Sequence, residues 1–69
     1  MKIEDFKLNT RVKYLDVVGE VIFLDIANGA LAVKFESGVP YKGYDAKRTT
    51  WVFGGGGTSV DLDVLTILD

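Results

Sequence analysis

The chain has 69 residues and a mass of 7.6 kDa, with 48% hydrophobic and 26% charged residues and a formal net charge of −2. That composition reads as one folded domain, 1–69, and argues against a multidomain enzyme or a disordered chain. Cys and His are both absent, which excludes disulfides, a thiol nucleophile, thiolate and imidazole metal sites and the commonest general base.

Period-two alternation of apolar residues dominates, so strands are expected throughout. After a lead containing Phe6 and Leu8, Arg11 to Leu15 places Val12 and Tyr14 on one face and Arg11 and Lys13 on the other. Asp16 to Gly19 is expected to turn the chain. A second strand, Glu20 to Ala27, carries Ile22, Leu24 and Ile26 on one face and Val21, Phe23 and Asp25 on the other. Asn28-Gly29 then predicts a hairpin with a type I′ turn, which needs positive φ at both central residues. The returning strand, Ala30 to Glu36, turns Leu31, Val33 and Phe35 inward and ends at Ser37-Gly38.

Pro40 cannot donate to a central ladder, so residues 39–44 read as a short edge strand followed by a loop. Thr49 to Phe53 reads as another strand with Trp51 and Phe53 on one face, and the four glycines Gly54 to Gly57 as a flexible connection. Val60 to Val64 alternates again, which would set Asp61 and Asp63 side by side on a strand. The adjacent apolar pair Val64-Leu65 breaks that phase. No segment of ten residues holds the 3.6 period of a helix. The expected fold is all-β, a small barrel or roll of five to six short antiparallel strands, because closure protects the edges of so small a sheet.

The residues Phe6-Lys7-Leu8, Val12, Gly19-Glu20-Val21, Asn28-Gly29 and Leu31 to Gly38 form an apolar lead, a strand, a glycine, a second apolar strand, a turn and a Val-x-Phe-x-x-Gly segment. This pattern resembles the opening three strands of SH3-like barrels of the Tudor and KOW type, over about half the chain. It is also similar to small phage and prophage proteins. The resemblance implies an SH3-like barrel and, through the phage proteins, a host-takeover or counter-defence role. KOW domains that bind RNA tend to be basic where this chain is acidic, so the resemblance carries the fold and not the ligand.

Charge is distributed unevenly. All eight Lys and Arg lie between Lys2 and Arg48, and beyond Arg48 the charged residues are Asp61, Asp63 and Asp69. Lys42, Lys47 and Arg48 are the candidates for a local basic patch, with Arg11 and Lys13 as a second pair. An acidic chain is a poor binder of duplex nucleic acid, whose affinity grows with each phosphate neutralised.

The richest candidate site combines Tyr41, Lys42, Tyr44, Lys47, Arg48, Thr50 and Trp51 with Gly55, Gly56 and Thr58. Aromatic rings offer stacking faces, Lys and Arg offer phosphate contacts, and a glycine loop exposes N–H groups that cradle an anion. Together they point to a small phosphorylated or nucleotide-like ligand, which the protein would bind or sequester. The glycines lack the Lys and the helix of the NTPase phosphate loop. Trp51 and Phe53 also read as core or subunit contacts, the glycines as a mobile loop and the Asp pair as solvent-facing residues. Ser37 and Ser59 have no His partner, so a non-enzymatic protein without cofactor or metal is expected. Two further readings stand beside it: an adaptor that docks a host protein through Tyr41, Tyr44 and Trp51, and a module for RNA or single-stranded DNA. On the ligand reading, Arg48→Ala and Trp51→Ala abolish binding without unfolding the protein.

A domain of this size seldom gains more than about 3–5 kcal/mol from its core, so a homo-oligomer is expected. The absence of cystine, of a membrane-length apolar run and of an apolar stretch in residues 1–6 predicts a cytoplasmic, non-membrane location.

Overall fold

The computed structural model describes residues 2–40, 48–55 and 60–68. These form a single five-stranded antiparallel sheet, so the all-β expectation holds. In chain order the strands are β1 (Arg11–Tyr14), β2 (Val17–Asp25), β3 (Ala30–Phe35), β4 (Thr50–Gly54) and β5 (Thr66–Ile67), and their spatial order is β4-β3-β2-β1-β5. A 3₁₀ turn at Ile3–Asp5 precedes β1, and a second at Val60–Val64 carries the chain into β5.

The alternation read in the sequence works as an inside–outside code on β1, β3 and β4. Val12, Leu31, Val33, Phe35, Trp51 and Phe53 are all buried on one face, whereas Arg11, Lys13, Lys34 and Val52 stand on the other and are exposed. Tyr14 on β1 lies 6.0 Å, centroid to centroid, from Phe53 on β4. Two strands intervene, which in a flat sheet would hold β1 and β4 about 14 Å apart. The sheet is therefore strongly curled, and the concave side is sealed by a triangle of Tyr14, Phe35 and Phe53 with ring separations of 6.0 Å, in the range where tilted and edge-on aromatic pairs attract. Ile3 and Phe6 from the lead, Leu62 from the second 3₁₀ turn and Leu65 just after it contribute to the same core.

Gly19 lies on the concave face of β2 opposite Phe35. A Cβ there would sit 2.6 Å from Val33 Cγ1 and 2.7 Å from Phe35 Cδ1. The missing side chain lets Phe35 lie across β2, a close approach for which glycine is used inside strands.

Four sequence expectations are corrected. The first turn is Leu15-Asp16, with Leu15 at φ 56, and β2 already begins at Val17. Within β2 the register shifts between Val21 and Phe23, so Ile22 is an extra residue. A one-residue bulge exchanges the faces. Val21 before it and Leu24 after it turn toward the core, while Ile22 and Phe23 are exposed.

The hairpin falls at Asn28-Gly29 as expected, but its loop spans residues 26–29 and Gly29 alone has positive φ, at 65°. It is not a type I′ turn. Asp25 shapes it instead, its carboxylate accepting from the Asn28 backbone N–H at 3.3 Å and from Asn28 Nδ2 at 2.7 Å. Asp25→Ala is expected to lower stability by about 1 kcal/mol, the usual worth of such hydrogen bonds, as a reduced denaturation midpoint with unchanged slope.

The fourth correction is Val60–Val64, which is 3₁₀ rather than strand. Leu62 and Leu65, three residues apart, are both buried, which matches the three-residue period of a 3₁₀ turn. The segment is not a strand, so the expected strand-face pairing of Asp61 with Asp63 does not arise. Residues 39–40 carry no strand, and the rest of the strand and loop expected over 39–44 lies outside the described residues.

Candidate ligand site

Of the ten candidate ligand residues, Arg48, Thr50, Trp51 and Gly55 lie within the described structure. Tyr41, Lys42, Tyr44, Lys47, Gly56 and Thr58 lie outside it.

Trp51 belongs to the core. Its side chain is 5% exposed, and its indole Nε1–H donates to the Val39 carbonyl at 3.0 Å and to the Arg48 carbonyl at 3.2 Å. Strand alternation turns it inward with Phe53, and the curl of the sheet covers it. Its hydrogen-bonding edge is committed to the backbone. The expectation that Trp51→Ala leaves the fold intact is therefore revised, and an exposed patch including this ring is not present.

Arg48 is exposed, two residues before β4, with its guanidinium carbon 4.8 Å from the centroid of the Trp51 ring. Cation–π attraction operates at this distance. The indole is anchored by its two hydrogen bonds, one of them to the carbonyl of Arg48 itself, so both the backbone and the head group of this arginine are restrained while its outer side faces solvent.

Gly55 has φ +86, as glycine readily allows, but its N–H donates to the Gly29 carbonyl at 3.0 Å. That donor closes the hairpin tip against the end of β4 and is not free to cradle an anion. Arg48 and Gly55 also flank the extended β4, which sets them roughly 20 Å apart at about 3.3 Å per residue. One chain does not bring them together around one phosphate. Thr50 lies between them, partly buried, opposite Lys34 on the convex face.

The sequence reading did not find a groove of about 260 Å³ on the sheet lined by Arg11, Val18, Gly19, Glu20, Lys34, Phe35 and Glu36. Its register is Arg11 opposite Glu20 and Glu20 opposite Lys34. Cation and carboxylate alternate, which suits cross-strand pairing and not a multiply charged anion. Arg11 is thus part of a mixed-charge row rather than of a second basic patch. The hairpin alone does not reveal the Glu20–Lys34 pairing, because the extra residue Ile22 shifts the β2–β3 register by one, and Arg11 joins the row only through the β1–β2 register.

Among the described residues no group of three or more acidic side chains could hold a metal ion, and no helix is long and apolar enough to cross a membrane. The geometry defines the class as a small all-β roll with one restrained, exposed arginine at the end of an edge strand. No protein-family profile, curated protein or solved structure matches the chain.

Proposed function

We propose that the protein is a non-enzymatic binding module that takes a small anionic, nucleotide-like ligand at the Arg48 end of β4 and acts by sequestering it. The observation that carries this reading is the exposed guanidinium of Arg48, held over an indole that is itself anchored by two hydrogen bonds. Arginine's planar fork matches phosphate oxygens bidentately, and restraint before binding lowers the ordering cost. An SH3-like architecture is supported by the strand order, in which a 3₁₀ turn returns the last strand to pair with the first. The host-takeover or counter-defence role implied by the phage resemblance accords with sequestration.

The test is native mass spectrometry and calorimetry against a panel of nucleoside monophosphates, nucleoside diphosphates and cyclic nucleotides. The wild type is expected to retain at least one of them. Arg48→Ala should lose that binding while melting as the wild type does, and Arg48→Lys should bind more weakly because it keeps the charge and loses the fork. Equal binding by the wild type and Arg48→Ala would defeat the assignment.

A further inference from the structure

We propose that the open edge of β4 pairs with β4 of a second copy of this chain, antiparallel about a two-fold axis at Val52. The two edges of the sheet are built differently. The β5 edge is two residues long, short enough to be a poor template for pairing. The β4 edge is five residues long, and no charged residue occurs anywhere in residues 49–60. Lys and Pro, which commonly guard such edges, are absent from it.

The backbone of this edge is oriented for a partner. Phe35 N–H donates to the Thr49 carbonyl and Gly55 N–H to the Gly29 carbonyl. Antiparallel alternation then turns residues 49, 51, 53 and 55 toward β3, and the N–H and C=O groups of Thr50, Val52 and Gly54 outward. Among the described residues no strand pairs with that side. A two-fold axis at Val52 overlaps the full strand, Val52 against its own copy and Thr50 against Gly54 of the other.

The side chains agree with this register. Phe23, Ala32 and Val52 form one cross-strand row on the convex face, with Phe23 55% and Val52 60% exposed. Across the axis the row continues into the same three residues in reverse, an unbroken apolar stripe. The flanking row runs Glu20, Lys34, Thr50 and then, in the other copy, Gly54, Ala30, Asp25. Each copy therefore brings the Asp25 carboxylate to the row in which the other holds Lys34, and the two Lys34 side chains lie in separate rows, so no like charges are opposed across the seam. The occupant that fits is a second copy, joined into one continuous ten-strand sheet.

The chain has no Cys, so a single engineered thiol reports the register. Val52→Cys should be bridged between two chains by a bifunctional thiol reagent of about 5 Å span, since Cα atoms of a hydrogen-bonded antiparallel pair lie roughly 5.5 Å apart. Thr50→Cys should not, because its copy lies about 13 Å further along the seam at roughly 3.3 Å per residue. In sedimentation the wild type should have the mass of two chains, and Val52→Lys that of one with an unchanged circular-dichroism spectrum. A monomeric wild type with unbridged Val52→Cys, equal bridging of both cysteine variants, or a Val52→Lys dimer would each overturn the proposal. Nucleotide binding is read separately with Arg48→Ala, so failure of the ligand site and failure of this interface are distinguishable.

Discussion

Gly54→Ala should leave the protein largely unfolded at room temperature. Two independent penalties meet at this residue. Its φ of +78 lies in the left-handed region, which costs a side-chain-bearing residue roughly 1–2 kcal/mol. A Cβ built on it would also collide with the Gly29 carbonyl oxygen and come within 3.2 Å of Leu62 Cδ2. The carbonyl belongs to backbone and cannot rotate away, and it is the acceptor of the Gly55 N–H that holds the hairpin tip to β4. Relief of the clash therefore breaks that closure. A total cost above about 3 kcal/mol, on a domain whose core supplies roughly 3–5 kcal/mol, removes most of the folded population. Gly29→Ala is the control: its φ is +65 but nothing lies within 4 Å of the added carbon, so it should lose only the backbone term. Equal melting temperatures for the two variants would show that the collision is absorbed.

Trp51→Ala is expected to be about as damaging for a different reason. Emptying a buried tryptophan site costs about 3–5 kcal/mol, and here it also removes the donor to the Val39 and Arg48 carbonyls. Trp51→Phe keeps most of the volume and loses only that donor, so a smaller loss of about 1–3 kcal/mol is expected. Chemical denaturation followed by circular dichroism separates the three proteins. If Trp51→Ala melts with the wild type, the ring is not part of the core. The phenylalanine variant has a second use: its ring no longer ties down the Arg48 carbonyl, so ligand affinity should fall while the fold persists, a split that a purely structural tryptophan would not produce.

How much of this was legible in the chain depends on the element. Strands β1, β3 and β4 were legible because alternating apolar residues at Val12 and Tyr14, at Leu31, Val33 and Phe35, and at Trp51 and Phe53 fit a half-buried strand and little else. The segment Val60–Val64 was misread because its apolar residues at 60, 62 and 64 mimic period two, while the pair that is buried, Leu62 and Leu65, is spaced by three. The extra residue Ile22 was hidden because Val21 to Leu24 is apolar throughout and carries no mark of where the phase slips. In the candidate site, the aromatic and basic composition around Arg48 was visible and Trp51 read both as a core residue and as a ligand contact, but alternation could not choose between the two or show that β4 would separate Arg48 from Gly55.

The sequence alone determined the class of the protein: an all-β domain, with its hairpin at Asn28-Gly29 and without Cys or His chemistry. Those properties depend on residue identity, local alternation and turn preference, which act over a few positions along the chain. Only the tertiary structure decided where β2 exchanges its faces, that Trp51 supports Arg48 from within, and that, among the described residues, the two outer strands of the sheet are the five-residue β4 and the two-residue β5. These depend on strand order and on the curl that brings Tyr14 to Phe53 across two intervening strands. Contacts between residues so far apart in the chain leave no local signature, because the same alternating pattern is compatible with more than one strand order.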